Sequence, residues 1–330
     1  MLCFPFSYGS EQPVENASYV QIGGIKQWVT IRGDNRTNPA VLFIHGGPGN
    51  PMSLYAERLY QQWEKDLTIV QWDQRGSGRT YEANQPAGEL SEEVLNATSL
   101  TFEQIVDDGI AVAEHVRKEL GLNKLILTGT SWGSAVAVKM ACKRPDLFQC
   151  YVGLSQVVNY QENLKRSFKL TLGRARELKD EAGAQLLEAL GSPPWKNPRN
   201  FGKLRKLAKK YEALRCAADL SLTASPVYAT ERYRAAYAAG EEFSFVKYVG
   251  LAGDGMGNSV HLDRECIGFE IPVVLIQGVE DLFTTPDLTK EYFEAIQAPA
   301  KELIPVDNCG HDPNQKMLEA QFAAIRKLAR

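Results

Sequence analysis

Lys124-Leu125-Ile126-Leu127-Thr128-Gly129-Thr130-Ser131-Trp132-Gly133-Ser134-Ala135-Val136-Ala137-Val138-Lys139-Met140 is the stretch that decides how this chain folds. Its first five residues are a short apolar run of strand character, and the residues after Gly133 open a helix. Between them lies a G-x-S-x-G turn. A turn from strand to helix this tight leaves no room for side chains at its flanks, so glycine stands on both sides. Only the middle residue projects a hydroxyl, and it does so at a helix N-terminus, where backbone N–H groups and the helix dipole favour negative charge. Ser131 is therefore a candidate nucleophile at an elbow.

Strand–helix alternation extends outward in both directions. Tyr19–Ile22 and Lys26–Ile31, split by Gly23-Gly24, read as a hairpin. Ala40–Ile44 is an apolar strand running into His45-Gly46-Gly47-Pro48-Gly49, and Leu67–Trp72 is another, ending in Asp73-Gln74-Arg75-Gly76-Ser77-Gly78. Thr101–Leu120 reads as an amphipathic helix with a capping signal at Thr101 and an apolar face of Ile105, Ile110, Val112, Ala113 and Val116. Tyr151–Leu154 is a short strand. After Val158 the alternation is lost and the chain looks helical, with breaks at Gly191-Ser192-Pro193-Pro194 and Ser225-Pro226. It resumes with the strand around Pro272–Gly278, a helix from Pro286 to Ile296, the strand Lys301–Val306 and a final helix from Gln315. Continuous apolar strands separated by helices predict an α/β fold, a mostly parallel central sheet covered on both faces. The expected division is a core of 1–158 and 266–330 and a helical cap of 159–265, inserted before the strand that leads to Asp281. Such a cap would lie over the strand ends, where open parallel sheets place their sites.

With 330 residues, 44% of them hydrophobic, the chain can bury one large core, or one core with an insertion. No apolar run approaches the roughly 20 residues of a membrane-spanning helix. Met1-Leu2-Cys3-Phe4-Pro5-Phe6 is too short for a signal peptide and lacks a basic start, which points to the cytoplasm unless an export signal has been trimmed. A net charge of −3 argues against nucleic acid as a partner. The six cysteines show no C-x-x-C spacing and read as free thiols in a reducing compartment. No metal site is expected, since neither paired histidines nor Cys/His spacing occurs.

Serine needs a base to remove its proton, and the base needs an acid to hold its tautomer. The chain has four histidines. His115 falls within the amphipathic helix and His261 near the end of the helical segment. His45 precedes Ser131 and opens a glycine-rich turn, where it is a candidate substrate contact. His311 follows the last strand and is the expected base. The acid should leave the preceding strand: Asp281 is favoured, Glu280 is the runner-up, and Asp287 and Asp307 are nearby alternatives. An oxyanion requires two converging N–H donors. Trp132, after the nucleophile, supplies one, and Gly46 or Gly47 the other.

Three segments, His45–Gly49, Trp72–Thr80 and Gly129–Ser134, resemble the prolyl aminopeptidase (proline iminopeptidase) branch of the α/β-hydrolase superfamily. The match covers the core, about 19–158 and 266–330. The resemblance implies an α/β-hydrolase fold with a helical cap, a serine triad, no cofactor, and cleavage of an unblocked N-terminal residue, often proline, from a small amide or short peptide. It also implies cap carboxylates that hold the free amine. Here Glu231, in Ala229-Thr230-Glu231-Arg232-Tyr233-Arg234, and the pair Glu241-Glu242 are the candidates, although the Glu-x-His-Tyr phrase of the family is missing. A carboxylesterase or lactonase is the alternative expectation, and a non-catalytic hydrolase-fold binding protein a remote one. Residues 161–215 carry 14 Lys and Arg against 6 Asp and Glu, a basic segment on an acidic chain. Outward-facing helix charges are the ordinary explanation; a preference for neutral or anionic acyl groups is the sharper one.

Overall fold

The computed structural model describes residues 12–86, 90–217 and 219–329, so the opening Met1–Phe6 with Cys3 lies outside the described residues. Eight strands form one sheet: β1 (Val14–Ile22), β2 (Ile25–Gly33), β3 (Ala40–Ile44), β4 (Thr68–Asp73), β5 (Leu125–Thr130), β6 (Phe148–Leu154), β7 (Val273–Gly278) and β8 (Lys301–Val306). Their spatial order is β1-β2-β4-β3-β5-β6-β7-β8. The β1–β2 hairpin adds antiparallel to β4, and every later pairing is parallel.

The sequence pattern explains which strands sit where. β3 and β4 are buried along their whole length, as strands covered on both faces must be. Alternate residues point to opposite faces. Leu42, Ile44, Leu125 and Leu127 join one core cluster with Val112, Val116 and Val136, while Val41, Phe43 and Ile126 join a second with Trp63, Met317 and Ile325. At the edges the pattern changes: β1 alternates between covered and exposed positions, and β8 exposes Lys301, Glu302 and Pro305, which discourage further pairing.

Twelve α-helices occur among the described residues. Five precede β6: α1 (Ser53–Leu59), α2 (Gly78–Ala83), α3 (Glu92–Ala97), α4 (Phe102–Leu120) and α5 (Trp132–Lys143). The helix expected over Thr101–Leu120 is α4, capped as foreseen: Thr101 accepts from the Gln104 N–H, and Gly121 closes the helix at φ +70°. Between β6 and β7 lie α6 (Tyr160–Glu177), α7 (Glu181–Leu190), α8 (Arg199–Glu212), α9 (Glu231–Val249) and α10 (Leu262–Glu265), and no described strand of the sheet. Two helices, α11 (Pro286–Ala295) and α12 (Gln315–Leu328), follow β7 and β8. No described helix is long and apolar enough to cross a membrane.

The basic helical insertion meets acidic partners on the core. Arg166 pairs with Asp287 and Glu291, Arg174 and Arg215 with Glu280, and Arg205 and Lys209 with Asp312. Five of the fourteen Lys and Arg of residues 161–215 thus face core carboxylates. Each pair is partly exposed and individually worth little, yet all act at one boundary. On the opposite edge the Arg79 guanidinium packs over the rings of Trp28, Tyr228 and Tyr233, at 5.0, 4.7 and 5.5 Å from their centroids, joining the hairpin and α2 to the insertion.

One contact fixes how β5 turns into α5. A Cβ on Gly133 would collide with the carbonyl oxygens of Ile44 and His45, which are backbone atoms and cannot move aside. Gly133→Ala should therefore lower unfolding stability by about 1–3 kcal/mol or more, read as a reduced urea midpoint at unchanged m-value.

Candidate active site

Ser131 stands between the end of β5 and the first residue of α5, with φ +54° and ψ −124°. This conformation is costly for a residue with a Cβ, and the surroundings must hold it. They do so through the Ser131 N–H, which donates to Leu154 O at 3.0 Å, and through Ser131 O, which accepts from the Ser134 N–H at 2.8 Å and the Ser134 hydroxyl at 2.6 Å. The Ser134 hydroxyl in turn accepts from the Val157 N–H, so the elbow is tied to the exit of β6.

His311, on the loop after β8, reaches the elbow from the far side. Its Nε2 lies 2.9 Å from Ser131 Oγ, and its Nδ1 lies 3.2 and 3.3 Å from the two oxygens of Asp281. Asp281 is 1% exposed. Burial alone would push its carboxyl up. The His311 charge outweighs that, helped by hydrogen bonds from His311, the Thr284 hydroxyl and the Phe283 N–H, and holds it below the usual carboxylate range. Gln277 Nε2 and the Thr284 N–H complete the shell, at 3.0 and 2.8 Å. A hydroxyl, an imidazole and an ionised carboxylate in this order can pass the serine proton to the imidazole while the tautomer stays fixed.

The structure separates the other candidates. Glu280 turns outward to Arg174 and Arg215, and Asp287 to Arg166. Asp307 is exposed on the turn after β8. His115 faces Glu119 along α4, and His261 lies beside Asn159.

His45 is a correction. It was expected to touch substrate, but it is 3% exposed and both ring nitrogens serve the protein. The Gln74 N–H donates to Nε2 at 3.1 Å, which leaves the proton on Nδ1, facing Gly46 O at 2.9 Å. Burial pushes its pKa down to about 4. Gln74 extends this brace: its Nε2 donates to His45 O, and its Oε1 accepts from the Trp132 indole. The turns after β3 and β4 and the elbow are thereby locked together. Gly47, at φ +111°, has a conformation that a side chain would strain. A Cβ on Gly46 would lie 3.0 Å from Thr130 O and 3.4 Å from the Cβ of Ser131, so the turn packs against the elbow. Among the described residues no backbone carbonyl outside a helix or strand accepts from Gly46, Gly47 or Trp132.

A chain of aromatic rings runs from Trp132, next to the nucleophile, to the His311 imidazole. Trp132 packs on Tyr248, Tyr248 on Phe201, Phe201 on Phe283 and Phe283 on the His311 ring, with centroids 5.0–6.0 Å apart. Tyr248 and Phe201 come from the insertion. Of the three carboxylates singled out there, only Glu241 meets the glycine turn: its Oε1 accepts from Asn50 Nδ2 at 2.8 Å, and a Cβ on Gly49 would lie 2.8 Å from its Cα. Glu231 is exposed in the first turn of α9, and Glu242 is exposed on the side toward Tyr81. Ser155 and Glu212 give no signal in the sequence, because each acts through a contact between segments far apart in the chain, whereas Gln277 and Thr284 are polar residues that bond to Asp281 from within four residues of it. Among the described residues no group of three or more His, Cys, Asp or Glu is placed to hold a metal ion.

The family model described as serine aminopeptidase, S33, matches residues 35–315. The chain belongs to the S33 serine aminopeptidase family. It is a hydrolase with the α/β-hydrolase fold, in the prolyl aminopeptidase-like branch. A Bacillus subtilis (strain 168) protein named "Probable aminopeptidase YbaC" is 30% identical over 314 residues, covering 89% of this chain and 90% of that one. Proline iminopeptidase of Neisseria gonorrhoeae is 24% identical over 330 residues, covering 93% and 94%. Among solved structures, proline iminopeptidase of Mycobacterium smegmatis matches with a TM-score of 0.62 at 18% identity, over 95% of this chain and 97% of that one. The S33 match takes in Ser131, Asp281, His311 and the whole helical insertion.

His45 makes stability depend on pH. Its folded pKa of about 4 lies below the ordinary value of 6.5, so the unfolded chain binds the proton more readily. The His45 contribution to stability is full above pH 6.5 and is lost as pH falls toward 4, by on the order of 3 kcal/mol. In urea titrations across that window, the difference in stability between the wild type and His45→Gln should shift against the wild type as pH falls.

Proposed function

We propose that this hydrolase releases an unblocked N-terminal residue, proline or a small apolar one, from short peptides or amides through an acyl-enzyme on Ser131. The observation that carries this reading is the line Ser131 Oγ–His311 Nε2, with His311 Nδ1 on Asp281, inside a chain of the S33 family. In the proposed cycle Ser131 Oγ attacks the carbonyl carbon as its proton moves to His311 Nε2. The oxyanion is held by the Trp132 N–H and by that of Gly46 or Gly47. His311 then gives its proton to the leaving amine, and water, activated by the same imidazole, hydrolyses the ester. The aromatic wall from Trp132 to Phe283 suits a compact apolar ring. Glu241, at the edge of the glycine turn, is the cap carboxylate best placed to meet a free amine. The helices between β6 and β7 act as the cap in this reading. The described cysteines, Cys142, Cys150, Cys216, Cys266 and Cys309, are free thiols, which supports a cytoplasmic setting.

Ser131→Ala should abolish labelling by a fluorophosphonate and reduce arylamide hydrolysis at least about 10,000-fold. Continued labelling of that variant would refute the nucleophile. A panel of proline, alanine and leucine arylamides beside N-blocked nitrophenyl esters tests the substrate class, with kcat/KM expected to favour the free-amine amides. Glu241→Gln should raise KM for those amides on the order of tenfold and leave the blocked esters nearly unchanged. Equal loss on both substrates would remove Glu241 from the amine site.

A further inference from the structure

Glu212 closes α8 in the insertion, yet its carboxylate is spent on the core. Oε1 accepts from the N–H of Leu282 at 2.7 Å and Oε2 from the N–H of His311 at 3.3 Å. The first donor directly follows Asp281, and the second belongs to the imidazole residue itself. A Cβ on Gly310 would lie 2.9 Å from Oε2, so the carboxylate presses on the turn that delivers His311. Just beyond it the Ala217 N–H donates to Asn308 O on the same turn. Glu212 is 7% exposed, and among the described residues no Lys or Arg lies within ion-pair distance of it.

A buried carboxylate without a cation is expensive, and two N–H bonds could be satisfied by a carbonyl or a water. What a carboxylate adds is charge. We infer that Glu212 is a positioning residue: from the cap it fixes the two loops that carry Asp281 and His311, and its negative charge favours the imidazolium that forms as Ser131 gives up its proton. The inference rests on the proposed roles of Ser131, His311 and Asp281, and gives the cap a part in the chemistry besides shaping the pocket.

Burial pushes the Glu212 carboxyl up to about 7, with the Asp281 charge adding to the rise and the His311 charge opposing it. The other titratable neighbours are the thiols of Cys216 and Cys309, with Glu280 and its partner Arg215 on the outer side. Glu212 therefore ionises as pH rises through neutrality, and the ionised form is the one that positions His311.

Second-order rates of fluorophosphonate labelling, measured from pH 5 to 9, test this independently of substrate class. In the wild type the rate should climb on the acid side more steeply than a single ionisation allows. Glu212→Gln should label at least tenfold more slowly at pH 7.5, to the same final stoichiometry, with an acid limb reduced to one ionisation. Glu212→Asp, which keeps the charge, should regain part of the rate and the steeper limb. A rate within twofold of wild type with an unchanged limb would overturn the inference. So would a variant that only melts earlier or labels a smaller fraction at the normal rate, since that is packing alone. Ser131→Ala separates the two ideas: if it still labels, the triad reading fails and this inference falls with it. If it does not and Glu212→Gln behaves as wild type, only the positioning role fails.

Discussion

The first turn of α5 lies directly on the end of β3, and Gly133 makes that possible. With no side chain there, the helix start abuts the Ile44 and His45 carbonyls, which leaves Ser131 on the one corner between β5 and α5. The left-handed backbone at Ser131 is unfavourable in isolation. Hydrogen bonds to Leu154 and Ser134 hold it, and they in turn depend on β5 pairing in register with β6. Position of the hydroxyl is thus a property of the sheet and not of a mobile loop.

The rest of the site is assembled by the same logic, at the carboxyl ends of neighbouring strands. β3 contributes the glycine turn, β4 the Gln74 brace, β7 the Asp281 loop and β8 the His311 loop. Ser155, at the exit of β6, donates its hydroxyl to His311 O at 2.9 Å and holds the base from behind. Each strand end brings one part, and the strand spacing sets the distances between them.

This explains what could be read in advance. Ser131, Asp281 and His311 were legible as candidates because each follows a strand that the sequence predicts and the chemistry demands a fixed chain order. The sheet was legible because apolar runs such as Ala40–Ile44 have no other stable place. His45 misled because its neighbours in sequence are those of a substrate-facing turn, while its burial is decided by Gln74, 29 residues away. Glu212 was invisible for a similar reason: in sequence it is one more charge at the end of a basic helix, and only the fold brings it to Leu282 and His311. The basic composition of the insertion was legible as a number but not as a direction. Its partners, Glu280, Asp287, Glu291 and Asp312, lie in another part of the chain.

The insertion is fastened at both edges of the sheet. On the hairpin side Arg79 sits among Trp28, Tyr228 and Tyr233, and the Ser244 hydroxyl bonds to Gly76 O at 2.8 Å. On the far side Glu212 and Arg166 bind the loop and helix that follow β7. An arch with two footings is held from both sides, unlike a door on a single hinge. A polymer segment with chain running off in both directions would have to thread beneath such an arch, whereas a terminus needs only to enter it. Under the proposed function, selection of chain ends would begin with this architecture, ahead of any single residue that meets a free amine.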